Sequence, residues 1–206
     1  RSVDVVVDWI GHWVDEGFDR FFFVDNVFNL PLRYAKELCR KLIDCDLGIQ
    51  WQAIVYPKWV DEGLVDLMAK AGCSQAGLGF ESGSASILKS LGKAFTVDEV
   101  RRVSGLFAEH GIQRMGFLLL GGPGETKATV AKSFEVADSL NLDLLKITVG
   151  IRIYPNTPLA AQAVDDGVIS PRNELLDPCF YMAKGLEDWL PQIAAEWGSS
   201  RPYTVV

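Results

Sequence analysis

Residues 113–126 read QRMGFLLLGGPGET, an apolar run that climbs to three glycines around one proline and then meets Glu125 and Thr126. Bare backbone at a strand end lets a polar ligand approach closely, and two phosphate cradles can be tested by spacing. A P-loop needs a second glycine five positions after the first, followed by lysine and then serine or threonine. Counting from Gly121 that glycine position holds Thr126, and counting from Gly122 it holds Lys127. The dinucleotide pattern G-x-G-x-x-G fails from Gly122 for the same reason, since Lys127 stands where the third glycine belongs. What survives is a helix N-terminus with exposed N–H groups, open to a polar ligand. Glu125 disfavours a phosphate there and suits a cationic or hydroxyl-bearing group. The alternative is a tight strand-to-helix turn with Glu125 placed near the positive end of the helix dipole.

Four other loops follow strand-like runs. They read VDNVFN, with Asp25 and Asn26; YPKW; FESGS, with Glu81, Ser82 and Ser84; and RIYPNTP, with Arg152, Tyr154, Asn156 and Thr157. Every one of them carries side chains able to hydrogen-bond a ligand. The strand starts instead hold Asp19, Arg20, Gln75, Gln113 and Arg114, which suit a solvated rim. The asymmetry puts a polar site on one face of a sheet, where loops carry function on a rigid scaffold.

The elements that position these loops repeat. Gly17, Gly48, Gly72 and Gly111 each close a helical pattern, precede an apolar or small residue, and lead into a strand-like run. Glycine at this position supplies the left-handed conformation that ends a helix, and Asn141 plays the same part. The successive caps lie 31, 24, 39 and 30 residues apart, the length of one strand, one helix and two loops. Val5, Val6, Trp9, Ile10 and Trp13 recur at helical spacing, as do Leu64, Val65, Leu67 and Met68. FTVDEV carries a capping box, with Thr96 as N-cap, Glu99 three residues on, and Phe95 set to staple onto Val100. The strands are expected at Phe21–Asp25, Ile49–Val55, Ala76–Phe80, Met115–Leu120 and Leu144–Ile153. They are mostly continuous apolar runs, which predicts a parallel sheet covered on both faces by helices. The fold class is α/β. A whole or partial (β/α) barrel and an open doubly wound sheet both fit, and the repeat opens on a helix, with its first strand missing.

The chain has 206 residues, of which 49% are hydrophobic, enough for a real core. Its longest apolar runs, such as Phe21–Val24 and Phe117–Leu120, fall far short of the ~20 residues a membrane helix needs. Arg1–Ile10 forms no apolar signal core. The net charge of −7 and the lack of a basic run argue against nonspecific nucleic-acid binding. Four cysteines, Cys39, Cys45, Cys73 and Cys179, do not make a disulfide scaffold, so a reduced, cytoplasmic setting is expected. His12 and His110 fall on helices away from the loops, which leaves no Ser-His-Asp arrangement and no clustered zinc ligands. Trp59, just after YPK, is expected to pack in the core or rim, or else to line the site.

Taken together, FVDNVFN, GFESGS, GFLLLGGPGET and RIYPNTPLA resemble the radical S-adenosylmethionine (SAM) superfamily over about residues 1–170. FYMAKGLEDWL and RPYTVV resemble tails of members that carry an upstream cobalamin-binding domain. The resemblance implies a partial, TIM-like (β/α) barrel of parallel strands with outer helices over residues 1–170, and a C-terminal extension, 171–206, packed on it. It implies SAM bound beside a [4Fe–4S] cluster held on a CxxxCxxC loop, with 5′-deoxyadenosyl-radical chemistry, and cobalamin as a further cofactor on an upstream domain. By position, Asp25 and Asn26 would meet the methionine amino group of SAM, and Glu81 and Ser82 its ribose and carboxylate. Gly121, Gly122, Gly124 and Glu125 would approach the methionyl and adenine parts. Val149, Gly150 and Ile151 would flank adenine, with Arg152 reaching SAM or a substrate anion.

The chain departs from that family in having no CxxxCxxC. Cys39 and Cys45 are six apart on one expected helix, Cys73 follows a cap at a strand start, and Cys179 lies in the tail, so none carries over as a cluster ligand. The expected reading is a portion of a radical SAM enzyme that begins just after the cluster loop and is inactive alone. Two alternatives remain: a cluster-less SAM- or partner-binding barrel, and a different barrel enzyme using Glu81 and Glu125 as acid and base. The loops do not discriminate among substrates.

Overall fold

The computed structural model describes all 206 residues. Along the chain run α1 (Val3–Asp15), β1 (Arg20–Phe23), α2 (Leu32–Cys45), β2 (Gln50–Val55), α3 (Glu62–Lys70) and β3 (Cys73–Glu81). There follow α4 (Ala85–Ser90), α5 (Val97–Glu109), β4 (Gln113–Leu120), α6 (Lys127–Ser139), β5 (Leu144–Val149) and β6 (Ile151–Arg152). The chain ends with α7 (Pro158–Asp165), β7 (Phe180–Tyr181), α8 (Trp189–Ser199) and β8 (Thr204–Val205). Six strands form one sheet in the order β1-β2-β3-β4-β5-β8, and β6 and β7 form a separate pair. β1 with β2, β2 with β3, and β5 with β8 are parallel, whereas β6 with β7 is antiparallel. A mostly parallel sheet with helical crossovers is the arrangement of a partial (β/α) barrel.

The caps read from sequence have the backbone they require. Gly17, Gly48, Gly72 and Gly111 sit at φ +94°, +64°, +89° and +71°, and Asn141 at +47°. Thr96 accepts from the Glu99 N–H while Glu99 accepts from the Thr96 N–H, which completes the capping box of α5.

Two expectations are corrected. The strands are not covered on both faces: along β2, Trp51, Ala53 and Val55 are buried while Gln50 and Gln52 are exposed. Alternation of this kind means that helices pack one face and leave the other more open, as along the inner face of a barrel. The expected strand 144–153 breaks at Gly150, whose φ of +82° no extended strand holds. The chain then pairs with β7 instead.

The chain divides into two compact units, the first comprising Arg1–Phe80, Phe95–Gly116 and Leu140–Leu144, the second Glu81–Ala94, Phe117–Ser139 and Leu145–Val206. In the first unit Trp51 is fully buried and meets Phe23 edge-on at 5.1 Å and Phe28 at 4.9 Å. Its indole N–H donates to the Ala71 carbonyl at 2.7 Å, so the ring is buried with its polar atom satisfied. α1 adds Val3, Val7 and Ile10, spaced i, i+4, i+7. Trp9 and Trp13 share that helix but lie on its exposed side, contrary to the stripe read from sequence. In the second unit Phe134 of α6 stacks on Trp197 of α8 at 4.6 Å. Arg201 lies 3.8 Å over the same indole and forks onto Asp138 at 2.7 and 2.8 Å.

Gly72 carries a second constraint besides its φ: a methyl there would overlap the Ile49 carbonyl oxygen. Gly17 has a similar φ but open space around it. We expect Gly17→Ala to cost about 1–2 kcal/mol from the left-handed backbone alone. Gly72→Ala should cost about 2–5 kcal/mol, since overpacking adds about 1–3. Urea unfolding of the two variants measures both, and equal losses would contradict the close approach at Ile49.

Candidate functional site

In the first unit, β1 ends at Phe23 and delivers Asp25 and Asn26 to an exposed turn. Asp25 lines a cavity of about 600 Å³ whose other walls include Val24, Val27, Phe28 and Leu38. Tyr34 lines it too, and its pKa is raised by burial first and then by the charges of Asp25 and Glu37. Asn29, from the same VDNVFN stretch, is fully buried. Its amide donates to the Tyr56 and Lys58 carbonyls at 2.9 and 3.3 Å and accepts from the Tyr56 N–H at 2.8 Å. Asn29 therefore clamps the β1 loop to the YPKW loop. Sequence reasoning passed over it, although a buried asparagine inside a strand-end motif is a recognisable brace. Trp59 is neither core nor wall of that cavity: it stands 55% exposed, with Lys58 lying 5.4 Å over its ring.

The second unit holds the other candidates. Glu81 ends β3 in the left-handed region, φ +59°, a conformation that costs a non-glycine residue energy and recurs at ligand sites. Its carboxylate pairs with Lys93 at 3.0 Å. Ser82 is buried; its hydroxyl lies 3.1 Å from that of Ser133 and accepts from the Ser84 N–H at 3.1 Å. Ser133 also accepts from the Gly83 N–H at 2.9 Å. A Cβ at Gly83 would lie 2.6 Å from the Lys132 carbonyl oxygen, so FESGS is pressed onto α6. Ser82 thus holds the loop's shape, and Ser133 is its unforeseen partner.

The glycine loop after β4 is organised by Glu125, which is 4% exposed. One carboxylate oxygen, Oε2, accepts the N–H groups of both Gly121 and Gly122. The other, Oε1, is buried without a partner. Burial raises the Glu125 pKa, and the two N–H bonds oppose the shift in part. Cβ atoms at 121 and 122 would meet the Met182 sulfur at 2.5 Å and Ile151 Cδ1 at 2.8 Å. These two glycines let the chain pack on itself, whereas Gly124 faces open space. Thr126 and Thr129 exchange hydrogen bonds at 2.9 and 3.3 Å across the start of α6.

At the end of β5, Val149 is half-buried and Gly150 donates to the Leu120 carbonyl at 2.8 Å, tying the two strand ends together. Ile151 fills the space over Gly122, and Arg152 is exposed, 5.0 Å over the Tyr154 ring. The second unit therefore joins the Gly121–Glu125 and Gly150–Ile151 segments directly. Asp25 and Asn26 belong to the first.

A [4Fe–4S] cluster does not fit the residues present. No group of three or more His, Cys, Asp or Glu side chains is placed to hold a metal. Cys39 and Cys73 are buried and Cys45 is exposed. Burial pushes the Cys39 thiol up to about 12 and raises that of Cys73 as well, which disfavours the thiolate a metal needs. The cavity beside Asp25 is mostly apolar, with Asp25 its one carboxylate and Arg1 a cation that also lines it.

Residues 1–137 match the Radical SAM superfamily. The chain belongs to the radical SAM superfamily. Among curated relatives, an uncharacterized methyltransferase of Pyrococcus horikoshii is 25% identical over 177 residues, 80% of this chain and 38% of the relative. Cytidylyl-2-hydroxyethylphosphonate methyltransferase of Streptomyces wedmorensis is 27% identical over 188 residues, 85% of this chain and 34% of the relative. The chain thus spans little more than a third of the length of these relatives. Among solved structures, the radical SAM methyltransferase TsrM of Kitasatospora setae, with cobalamin and a [4Fe–4S] cluster bound, superposes with a TM-score of 0.75 at 26% identity, over 81% of this chain and 32% of that one. A second TsrM structure, with tryptophan substrate and a SAM analogue bound, gives a TM-score of 0.87 at 22% identity over all of this chain and 48% of that one. No helix is long and apolar enough to cross a membrane.

Removing the Glu125 carboxylate strands two buried N–H groups, each costing about 1–3 kcal/mol. We therefore expect Glu125→Ala to lose about 2–6 kcal/mol in urea unfolding and Glu125→Gln, which keeps an acceptor, to lose less. The raised folded pKa means that the native state holds this proton more tightly than the unfolded chain. Its contribution is full below the ordinary glutamate value of about 4.3 and falls away as pH rises through the raised value. Glu125→Gln should flatten that part of the stability profile; an unchanged slope would contradict the burial.

Proposed function

We propose that this chain is the SAM-binding part of a radical SAM enzyme, with the cluster-holding cysteines and a cobalamin-binding domain lying in sequence that precedes Arg1 in the full-length protein. The observation that carries this reading is positional. Asp25–Asn26, Glu81–Ser82, Gly121–Glu125 and Gly150–Arg152 lie at or just beyond the carboxyl ends of β1, β3, β4 and β5, all four strands of the one six-stranded sheet. That is where a (β/α) scaffold keeps its active site.

Within this reading the residues divide their work. Asp25 and Asn26 receive the methionine amino group, the carboxylate supplying charge and the amide direction. Glu81 reaches the ribose and carboxylate region as a pair with Lys93, so the site presents a cation there as well as an acid. Ser82 acts through the loop it braces. Gly124, which faces open space, offers main chain to the methionyl and adenine parts, while Gly121 and Gly122 shape the turn that Glu125 holds. Val149, Gly150 and Ile151 form an apolar flank for adenine, and Arg152 is free to meet an anionic group. When bound beside a cluster, SAM supplies the 5′-deoxyadenosyl radical that takes a hydrogen atom from the substrate. The protein's share is to bind, orient and shield that chemistry. The names of the relatives favour methyl transfer as the reaction class, and a cytoplasmic setting follows from the oxygen-shielded, reduced environment such chemistry needs.

Two further readings were open: a cluster-less binding barrel, and an acid–base enzyme using Glu81 and Glu125. The acid–base reading is weakened by the contacts of both carboxylates. Glu81 is neutralised by Lys93, and Glu125 spends one oxygen on two main-chain donors.

In the full-length protein we expect Asp25→Ala to weaken SAM binding at least ~10-fold, or about 1.4 kcal/mol, by equilibrium dialysis without loss of melting temperature. Unchanged affinity would remove Asp25 from the site. Anaerobic iron–sulfide reconstitution of residues 1–206 alone should yield no stable visible absorption. A stable cluster on this chain would overturn the placement of its ligands elsewhere.

A further inference from the structure

The loop from Tyr56 to Asp61, which joins β2 to α3 in the first unit, is held at nearly every position. Asn29 clamps it from inside, bonding the Tyr56 N–H and carbonyl and the Lys58 carbonyl. The Tyr56 ring meets the buried Phe95 edge-on at 5.1 Å. Pro57 and Val60 are buried, and Arg102 donates to the Val60 carbonyl at 2.8 Å. Asp61 caps α3 by accepting from the Leu64 N–H at 2.7 Å, and it pairs with Lys36 at 2.7 Å. This frame sets Trp59 at φ +61° with its side chain turned largely to solvent. Of the six non-glycine residues with positive φ, Trp59 is the one aromatic. Neither property helps the fold. The left-handed backbone costs energy for a bulky residue, where glycine or asparagine would sit at less cost. An indole left more than half exposed also gives up much of what its burial would contribute.

We propose that Trp59 is a stacking platform for a planar aromatic group of the substrate, and so a specificity-determining residue at the carboxyl end of β2. Backbone strain persists where the surroundings over-determine it, and it gathers where a side chain is presented to a ligand. The indole offers a flat face, and ring pairs gain more than their buried area alone supplies. Tyr56 lies with its centroid 6.4 Å away and its plane tilted by 39°, which sets a second ring at an angle to the first. The Lys58 ammonium stands 5.4 Å over the indole, so a cation borders the platform and favours a ring that bears an anionic substituent. A protein partner is less well matched. Partner surfaces are broad contiguous apolar patches, whereas here Pro57 and Val60 are buried and the ring stands out by itself. The SAM reading assigns nothing to YPKW. This inference rests on that reading only in calling the ligand a substrate.

The test is a fluorine NMR titration of naphthoate into full-length protein labelled with fluorotryptophan, the Trp59 signal being assigned by its loss in Trp59→Phe. We expect saturable binding that moves this signal, weakened at least ~10-fold, or about 1.4 kcal/mol, in Trp59→Asn and largely kept in Trp59→Phe. The melting temperature of Trp59→Asn should hold, since asparagine tolerates the left-handed backbone. A drop of more than about 4 °C would mean that the indole serves the fold, and it would overturn the proposal. So would the absence of any shift, or equal binding to Trp59→Asn. Equal binding of decahydronaphthoate, a saturated ring system of the same charge, would overturn stacking, and tighter binding of naphthylmethylammonium would overturn the anionic class. Self-association of the wild-type protein that Trp59→Asn abolishes would make the ring a contact between copies and overturn the small-molecule class. Failure of the SAM reading shows separately, as unchanged SAM affinity in Asp25→Ala, and it leaves the naphthoate result standing.

Discussion

The carboxylate of Glu125 governs the reversal from β4 into α6. A strand that stops inside a sheet leaves main-chain donors without ladder partners, and a buried donor without a partner is expensive. Here Gly121 and Gly122 give both of theirs to one oxygen of one side chain. The consequences spread outward. With the turn held, Met182 and Ile151 can sit against bare glycine, the Gly150 N–H can reach Leu120, and the Ala183 N–H can reach the Gly121 carbonyl. The β6–β7 pair therefore has its place only while Glu125 keeps its own.

The cost of that arrangement is visible in the same residue. Burial opposes the charge of Glu125, and only one of its oxygens is rewarded with hydrogen bonds. Where stability alone is at stake, buried polar groups are satisfied. The partnerless oxygen of Glu125 is buried as well, a cost that stands against the two donors its other oxygen satisfies. Ser82 and Asn29 make the contrast plain. Both are buried strand-end polar residues, and both have their hydrogen bonds supplied by neighbouring loops or helices.

Much of the frame was legible in the sequence because local backbone demands leave local marks. The left-handed caps at Gly17, Gly48, Gly72, Gly111 and Asn141, and the Thr96–Glu99 box, are short-range requirements that a few residues declare. The order of strand and helix follows from them. What was not legible depends on distance in the chain. Nothing near Val5–Trp13 says that the tryptophans face outward, because the face of α1 is chosen by the sheet and α2 rather than by its own periodicity. The apolar runs of β2 and its neighbours suggested cover on both faces, yet a barrel wall needs apolar side chains even where helices cover only one. The break at Gly150 is decided by a partner strand some thirty residues later. In the site, the glycines were read as room for a ligand. At positions 121 and 122 that room is taken by Met182 and Ile151, the first of which lies in the tail, where spacing within the motif could not show it.

Asp25 and Glu125 show how two acids at strand ends of one scaffold come to do different work. Asp25 follows β1 on an exposed turn, so its charge is stabilised by water and available to whatever enters the cavity beside it. An exposed acid of this kind contributes little to holding the fold, since solvent screens it, and in the proposed reading its value lies in attracting and orienting a cation. Glu125 is buried, and its value to the fold lies in the donors it satisfies rather than in its charge. Exchanging the two environments would close Asp25 off from any ligand, and an exposed Glu125 would leave the glycine turn unheld. A carboxylate at the same topological position thus serves, in the proposed reading, recognition in one loop and architecture in another, and the hydrogen bonds, not the motif, tell them apart.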